Sequence, residues 1–337
     1  MKFSIIIPVR SFNYLLKESI KEIKKLQYSD FEVLIILDNA ESYDFEGDNR
    51  FTLITSGPIS PGEKRNIGAK NASGEILVFL DDDAFPASDW LFEASNIFEN
   101  PEVYALGGPA ITPLEAPFLE RMSGRILESW LASGGTTYRH IPQRERFIND
   151  YPTVNLFVRT SAFWAIGGFS KDFWPGEDTK LCLDLVKYHN KPFLYSPKPI
   201  VFHHRRNILI PHLKQISRYG AHRGRFARIY PETSRLPMYF VPSLFVIGLL
   251  IGIPLSFVNI VIYNLYIFFV LVYASALLLE GRKVFIKDSN FLALPVFLVG
   301  TFLTHVVYGV NFLVGFIKRP ALKLKAVDQV TGNYTEG

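Results

Sequence analysis

The sequence predicts an α/β domain on a mostly parallel sheet, followed by an α-helical membrane region. Three observations carry this. Short apolar runs alternate with amphipathic stretches of helical period over residues 1–205, the pattern of strand–helix–strand crossovers around a parallel sheet. Acidic residues close two of those runs, at Asp38 and at Asp81-Asp82-Asp83, and such sheets bind ligands at the carboxyl ends of their strands. Finally, no Asp, Glu, Lys or Arg occurs in the 44 residues 236–279, a composition that belongs in a membrane.

Residues 3–9 form a continuous apolar run rich in β-branched side chains, as a strand buried on both faces requires. Residues 15–26 carry apolar side chains at 15, 16, 20, 23 and 26, so a helix follows. A strand at 31–37 ends in Asp38, another covers 51–55, a helix spans 61–72, and a strand at 75–80 runs into the three aspartates. Residues 181–186 are an amphipathic run after Glu177-Asp178, and a strand at 199–202 leads into His203-His204. The opening apolar run is too short for a secretory signal.

Residues 206–236 read as a basic amphipathic linker at the interface, and 237–320 as the membrane region. One helix of 44 residues would be roughly twice as long as the hydrocarbon core is thick. Two segments, about 238–258 and 260–279, fit better, with the reversal near Pro254, Ser256 and Asn259. A third uncharged run, 291–317, contains His305, Asn311 and glycines at 300, 309 and 315. It fits a crossing helix, a re-entrant segment or an interfacial helix. Arg282, Lys283 and Lys287 mark the preceding loop as cytoplasmic. Lys318, Arg319, Lys323 and Lys325 follow the third run, and a full crossing would put them on the opposite side against that rule. Residues 321–337 form a polar tail.

The composition is 48% hydrophobic and 20% charged, with 36 basic against 32 acidic residues and a net charge of +4. That balance excludes a disordered chain and a uniformly basic nucleic-acid coat. Between 205 and 235 lie eight basic residues and one acid, a collar suited to anionic lipid headgroups. The single cysteine, Cys182, excludes an internal disulfide and a cysteine zinc site, and suits a reducing cytosolic face. Any metal must be held by carboxylates or histidines.

Several clusters carry chemistry. The triple aspartate is either a hard oxygen site for Mg²⁺ or Mn²⁺ shared with phosphate oxygens, or a solvated turn before a helix at Ser88 or Asp89. Lys64, Arg65 and Asn66 sit early in a helix, where amides and cations serve a phosphate or a sugar; the alternative is a solvated basic face. Glu177 and Asp178, two adjacent acids before an amphipathic run, fit the acidic start of a helix.

The ordered set Ser4-Ile5-Ile6-Ile7-Pro8-Val9, Asp38, Lys64-Arg65-Asn66-Ile67-Gly68, Asp81-Asp82-Asp83, Gly167-Gly168-Phe169 and Gly176-Glu177-Asp178 resembles the family 2 glycosyltransferases of the GT-A fold, over residues 3 to about 205. The resemblance implies a GT-A Rossmann-like sheet and a nucleotide-diphosphate sugar donor. Pro8, Asp38, Lys64, Arg65, Asn66, Asp81 and Asp82 would line the donor site, Asp38 contacting the nucleobase. Asp83, Asp81 and His203 would hold the divalent metal, Mg²⁺ or Mn²⁺. Asp178 would be the catalytic base of an inverting displacement, with Glu177 positioning it. The chain departs from the family after Asp38, where Asn39, Ala40 and Glu41 replace a second acid and Gly-Ser.

On the acceptor side, Trp174-Pro175-Gly176 forms a rigid aromatic approach. Gln215-Ile216-Ser217-Arg218-Tyr219 resembles the QxxRW element of processive members, with Tyr for Trp; a plain interfacial helix is the alternative. The expected function is a multi-pass cell-membrane glycosyltransferase with a cytoplasmic catalytic domain, acting on a lipid-linked or cell-envelope glycan acceptor, in contact with membrane lipids and not nucleic acid. A polyprenyl-phosphate sugar synthase is the alternative within the class. Outside it stands a non-catalytic nucleotide-sugar-binding transporter or scaffold.

Overall fold

The computed structural model describes residues 1–318, together with the backbone of 325–327 and 334–335. The chain forms two compact units, one holding Met1–Ile111 and Ile141–His204, the other Thr112–His140 and Arg205–Pro320. Most of the polar tail expected over 321–337, and the basic residues Arg319 and Lys323, lie outside the described residues.

The first unit begins with β1 (Phe3–Pro8), α1 (Tyr14–Ile23), β2 (Phe31–Leu37), β3 (Phe51–Thr55), α2 (Pro61–Asn71) and β4 (Ile76–Phe79). Short β5 (Ala84–Pro86) leads into α3 (Trp90–Phe98), β6 (Ala105–Gly107) and β7 (Ala110–Ile111). The chain then leaves this unit through α4 (Phe118–Glu128) and α5 (Trp130–Ser133). It returns with β8 (Arg146–Ile148), β9 (Leu156–Arg159), α6 (Thr160–Ala165), α7 (Glu177–His189), β10 (Phe193–Tyr195) and β11 (Val201–His203). The main sheet has the order β3-β2-β1-β4-β9-β6-β10-β8, and β5-β11-β7 form a smaller one. β1 is central and parallel to both β2 and β4, whereas β9 runs antiparallel to β4 and β6. The sheet is therefore mixed. Every residue of β1 and β4 is buried, which is why those strands read as unbroken apolar runs.

Helix starts in this unit have local causes. Asn13 caps α1 by accepting from the Leu16 N–H. Ser60 and Glu63 form a reciprocal capping box on α2, with Pro61 in its first turn, an arrangement that satisfies otherwise orphaned amides. Both caps lie just beyond strand ends, where they orient side chains at the ligand-binding edge of the sheet.

The second unit holds α4 and α5 with α8 (Ile210–Ile229), α9 (Pro231–Ser234), α10 (Pro237–Ser256), α11 (Ile260–Asp288) and α12 (Ala293–Ile317). The sequence placed 112–140 in the catalytic domain. Their burial lies elsewhere: Met122 and Ile126 of α4 pack with Ile208, Val284, Ala293 and Phe297. α11 runs beyond the expected end at 279 because Asp288, with its side chain 2% exposed, pairs with Arg121 and Arg125 of α4 at 2.7 and 3.2 Å. Ser289, in left-handed backbone geometry, ends it. The reversal falls as expected, with α10 ending at Ser256 and Asn259 capping α11.

α12 is one continuous helix, which removes the re-entrant alternative. Its glycines serve packing. A Cβ on Gly315 would lie 1.9 Å from the Ala221 carbonyl oxygen of α8, and one on Gly309 would lie 2.3 Å from that of Pro242 in α10, so these helices approach backbone to backbone. Helices α10, α11 and α12 are each long and apolar enough to cross a membrane. The basic collar is partly internal rather than wholly directed at lipid: Arg223 is buried and bonds Tyr219 and Ser234, and Arg228 caps the carbonyls of Phe316 and Ile317.

Candidate active site

The site lies where β1, β2 and β4 end and where α2 and α7 begin. Pro8 closes β1 opposite Ile36 of β2. One residue after β2, Asp38 forms an ion pair with Lys64, which also donates to the Val9 carbonyl. Lys64 is 3% exposed, and burial pulls its ammonium below the ordinary 10.5 although Asp38 opposes the shift. A cation so deep in the strand-end cleft is a fixture of the site, not part of a solvated helix face.

Arg65 is the central connection. It is 4% exposed, and its guanidinium donates to Asp81 Oδ1 at 2.6 Å and to Glu177 Oε1 at 3.2 Å. It also lies over the Phe169 ring, 5.7 Å from the centroid. One planar cation thus joins the acidic end of β4 to the first residue of α7, a fork that lysine cannot reproduce. Asn66 is engaged by the chain itself. Its side chain donates to the Phe169 carbonyl at 2.8 Å and accepts from the Phe169 N–H at 2.9 Å, clamping the turn made by Gly167 and Gly168 at φ +78° and +77°.

The three aspartates diverge. Asp81 is taken by Arg65. Asp82 accepts from Asn13 Nδ2 at 2.7 Å; burial first, then the Asp83 charge, pushes its carboxyl up to about 6. Asp83 faces His203, with Oδ1 3.1 Å from Nε2. The register of the smaller sheet causes this, because His203 pairs with Ala84 across β5 and β11. His203 is therefore the last residue of its strand rather than the first beyond it. Its neighbour His204 turns to Glu18 at 3.0 Å.

Among the described residues no three His, Cys, Asp or Glu side chains converge as a closed metal cage. Asp83 and His203 nonetheless fit a divalent cation that takes its remaining ligands from phosphate oxygens and water, the habit of Mg²⁺ and Mn²⁺ beside nucleotides. Of the three expected metal ligands, the structure brings Asp83 and His203 together and engages Asp81 with Arg65.

Glu177 and Asp178 open α7 after Gly176, whose φ of 104° is open to glycine and strained for other residues. Glu177 is buried, and burial together with the Asp178 charge raises its pKa against the pull of Arg65. Asp178 is half-buried and accepts from the Thr179 N–H at 2.7 Å. Half-buried Trp174 lies three residues before Glu177. Gln215, Arg218 and Tyr219 share the exposed side of α8 in the second unit. Sequence reasoning missed Asn13 and Glu18; the cap position of Asn13 was legible, but its bond to Asp82 depends on tertiary geometry.

The family model described as Glycosyl transferase family 2 matches residues 4–167. A pre-mycofactocin glycosyltransferase of Mycobacterium tuberculosis is 26% identical over 235 residues, 68% of this chain and 48% of the relative. A dolichyl N-acetyl-alpha-D-glucosaminyl phosphate 3-beta-D-2,3-diacetamido-2,3-dideoxy-beta-D-glucuronosyltransferase of Methanococcus voltae is 26% identical over 264 residues, 75% of this chain and 74% of the relative. The chain thus spans about half the length of the mycobacterial relative. Among solved structures, the mannosyltransferase PcManGT of Pyrobaculum calidifontis, in complex with GDP-Man and Mn²⁺, aligns with a TM-score of 0.54 at 16% identity, over 94% of this chain and 86% of that one. This likeness is one of fold.

Proposed function

The chain belongs to the family 2 glycosyltransferases, and from that premise we propose that it moves a sugar, with inversion, from a nucleotide-diphosphate donor to a lipid-linked or cell-envelope glycan acceptor at a membrane. The observation that carries the mechanism is the Arg65 bridge. It draws Asp81, on the donor side, and the Glu177-Asp178 turn into one cleft.

In this mechanism Asp38 and Lys64 form the floor of the nucleotide pocket, and Asp81 faces the ribose. Asp83 and His203 would hold a divalent cation, Mg²⁺ or Mn²⁺, which would supply positive charge beside the diphosphate. Asp178 accepts the acceptor hydroxyl's proton as that oxygen attacks the anomeric carbon opposite the leaving group. In this reading the two adjacent acids divide the work by environment: buried Glu177, bonded to Arg65, positions the turn, while half-buried Asp178 receives the proton. In the first unit Trp174 borders the acceptor approach; on α8 of the second, Gln215, Arg218 and Tyr219 are the residues proposed to meet an acceptor.

A lipid-linked acceptor agrees with three helices able to cross a membrane and with the dolichyl phosphate-linked sugar in the Methanococcus relative's name. In this reading the chain sits in the cell membrane, and the bias of basic residues toward cytoplasmic flanks, here Arg282, Lys283 and Lys287, supports a cytoplasmic catalytic unit. The test is release of nucleotide diphosphate from a panel of sugar donors, with membrane lipid extract and Mn²⁺ or Mg²⁺. Asp178→Asn is expected to slow release by about 10²–10⁴ with donor KM unchanged, and Asp83→Asn to raise the metal concentration required. No release from any donor would overturn the proposal. Full activity of Asp178→Asn would replace the hydroxyl acceptor with a polyprenyl phosphate, which needs no base.

A further inference from the structure

The second unit contains a groove of about 430 Å³ between α5 and the charged end of α11, lined by Trp130, Leu131, Leu279, Glu280, Arg282 and Lys283 among others. We propose that this groove binds an anionic phospholipid of the surrounding bilayer, its phosphate at Arg282 and an acyl chain along the apolar end. The proposal rests on the membrane placement given above.

The groove follows from helix periodicity. Ala276, Leu279 or Glu280, Lys283 and Ile286 follow one another at three or four residues and make one stripe along α11. That stripe crosses the point where the uncharged run ends, between Leu279 and Glu280. One end therefore lies at hydrocarbon level and the other at headgroup level. Trp130, 71% exposed, stands at its edge, a position that suits tryptophan at a membrane–water boundary.

The opposite wall is fixed by hydrogen bonds. His305 of α12 pairs through Nε2 with the Leu131 carbonyl at 3.0 Å. Ser129, the cap of α5, donates to Glu280 at 3.1 Å, so the four-residue helix is tied to α11 at its cap and to α12 through Leu131. The charges are not equivalent. Glu280 is paired with Lys283 at 2.5 Å, and Lys287 with Glu128 at 3.0 Å. Arg282 is exposed and has no hydrogen bond or ion pair among the described residues. A guanidinium left over beside an apolar groove matches a lipid phosphate with its tail alongside, through a bidentate contact.

The full chain in mild detergent, titrated with phosphatidylglycerol or phosphatidylcholine and followed by native mass spectrometry, tests this. Wild type is expected to retain one phosphatidylglycerol in preference to phosphatidylcholine. Arg282→Gln should weaken phosphatidylglycerol about five-fold, equivalent to about 1 kcal/mol for one basic group at the surface, and leave phosphatidylcholine unchanged. Trp130→Ala should weaken both. Equal retention of the two lipids by wild type, or equal phosphatidylglycerol binding by Arg282→Gln, overturns the groove. So does a result in which Arg282→Gln leaves phosphatidylglycerol binding intact and raises only the KM for lipid-linked acceptor, since the groove would then serve the acceptor. A wild-type chain that fails to enter lipid nanodiscs overturns the membrane placement and the groove together, whereas an inserted chain without lipid preference overturns the groove alone.

Discussion

The two units handle buried charge in opposite ways. In the first, the buried and half-buried titratable groups gather at strand ends and helix starts: Lys64 with Asp38, Arg65 with Asp81 and Glu177, His203 with Asp83. In the second, the buried polar groups join helices to one another. Asp288 ties α11 to α4, and His212 of α8 lies between Ser123 of α4 and Thr304 of α12, at 2.8 and 2.9 Å. Thr304 donates to the Gly300 carbonyl, so His212 Nε2–H donates to Thr304 and Ser123 donates to Nδ1. The first arrangement leaves carboxylates at a cleft for chemistry. The second encloses its polar groups and stiffens a scaffold.

The contrast breaks most sharply at Arg65. Replacing it with Met leaves Glu177 buried beside Asp81 without the shared cation, and removing one partner of a buried ion network costs about 3 kcal/mol or more. Arg65→Met is therefore expected to lower stability by that amount in denaturant unfolding and to abolish nucleotide diphosphate release. Arg65→Lys should recover little of either, because one ammonium lacks the planar fork that reaches both acids. Full recovery by lysine would show that the bridge acts as charge alone.

A smaller effect is expected in the second unit, where backbone approach replaces charge. Gly315→Ala drives a methyl to within 1.9 Å of the Ala221 carbonyl, and such overpacking costs about 1–3 kcal/mol. Gly248 of α10 is the internal control, since a Cβ there meets nothing within 4 Å and alanine is the better helix former. Thermal unfolding should fall by a few degrees for Gly315→Ala and hold or rise for Gly248→Ala. If both fall alike, helical glycine is needed here for some reason other than close packing.

The same contrast explains what could be read from the chain. The strands, the acids at their ends and the start of α7 were legible because each depends on local pattern: an apolar run, then a polar residue where the backbone leaves the sheet. The clamp that Asn66 makes was not visible because its partner, Phe169, lies about a hundred residues away. The assignment of α4 and α5 to the second unit was not visible, since α4 is amphipathic and nothing local specifies which core its apolar side joins. The glycines of α12 were ambiguous for a related reason. Glycine relaxes the backbone and also admits a neighbouring helix, and only tertiary structure distinguishes these uses.

The smallest expected effect returns to the cleft and concerns pH. Asp82 is held at about 6 in the fold against an ordinary 3.8. Below pH 3.8 the folded and unfolded chains both carry the proton, and Asp82 contributes nothing to their difference. Between 3.8 and 6 the unfolded chain has released its proton while the fold retains it, so the unfolded state binds fewer protons and stability falls as pH rises. Above 6 the whole cost remains, on the order of 1–2 kcal/mol once water's access to the half-buried group is allowed for. Buried Glu177 acts with the same sign. With chelator present, unfolding followed from pH 4 to 6.5 should show this decline, and Asp82→Asn should reduce it. Saturating Mn²⁺ should oppose the decline, because a cation held at Asp83 favours the ionised form of the carboxyl next to it. A decline equally steep in Asp82→Asn would move the titration to Glu177, and the second buried acid of the cleft would then set its pH response.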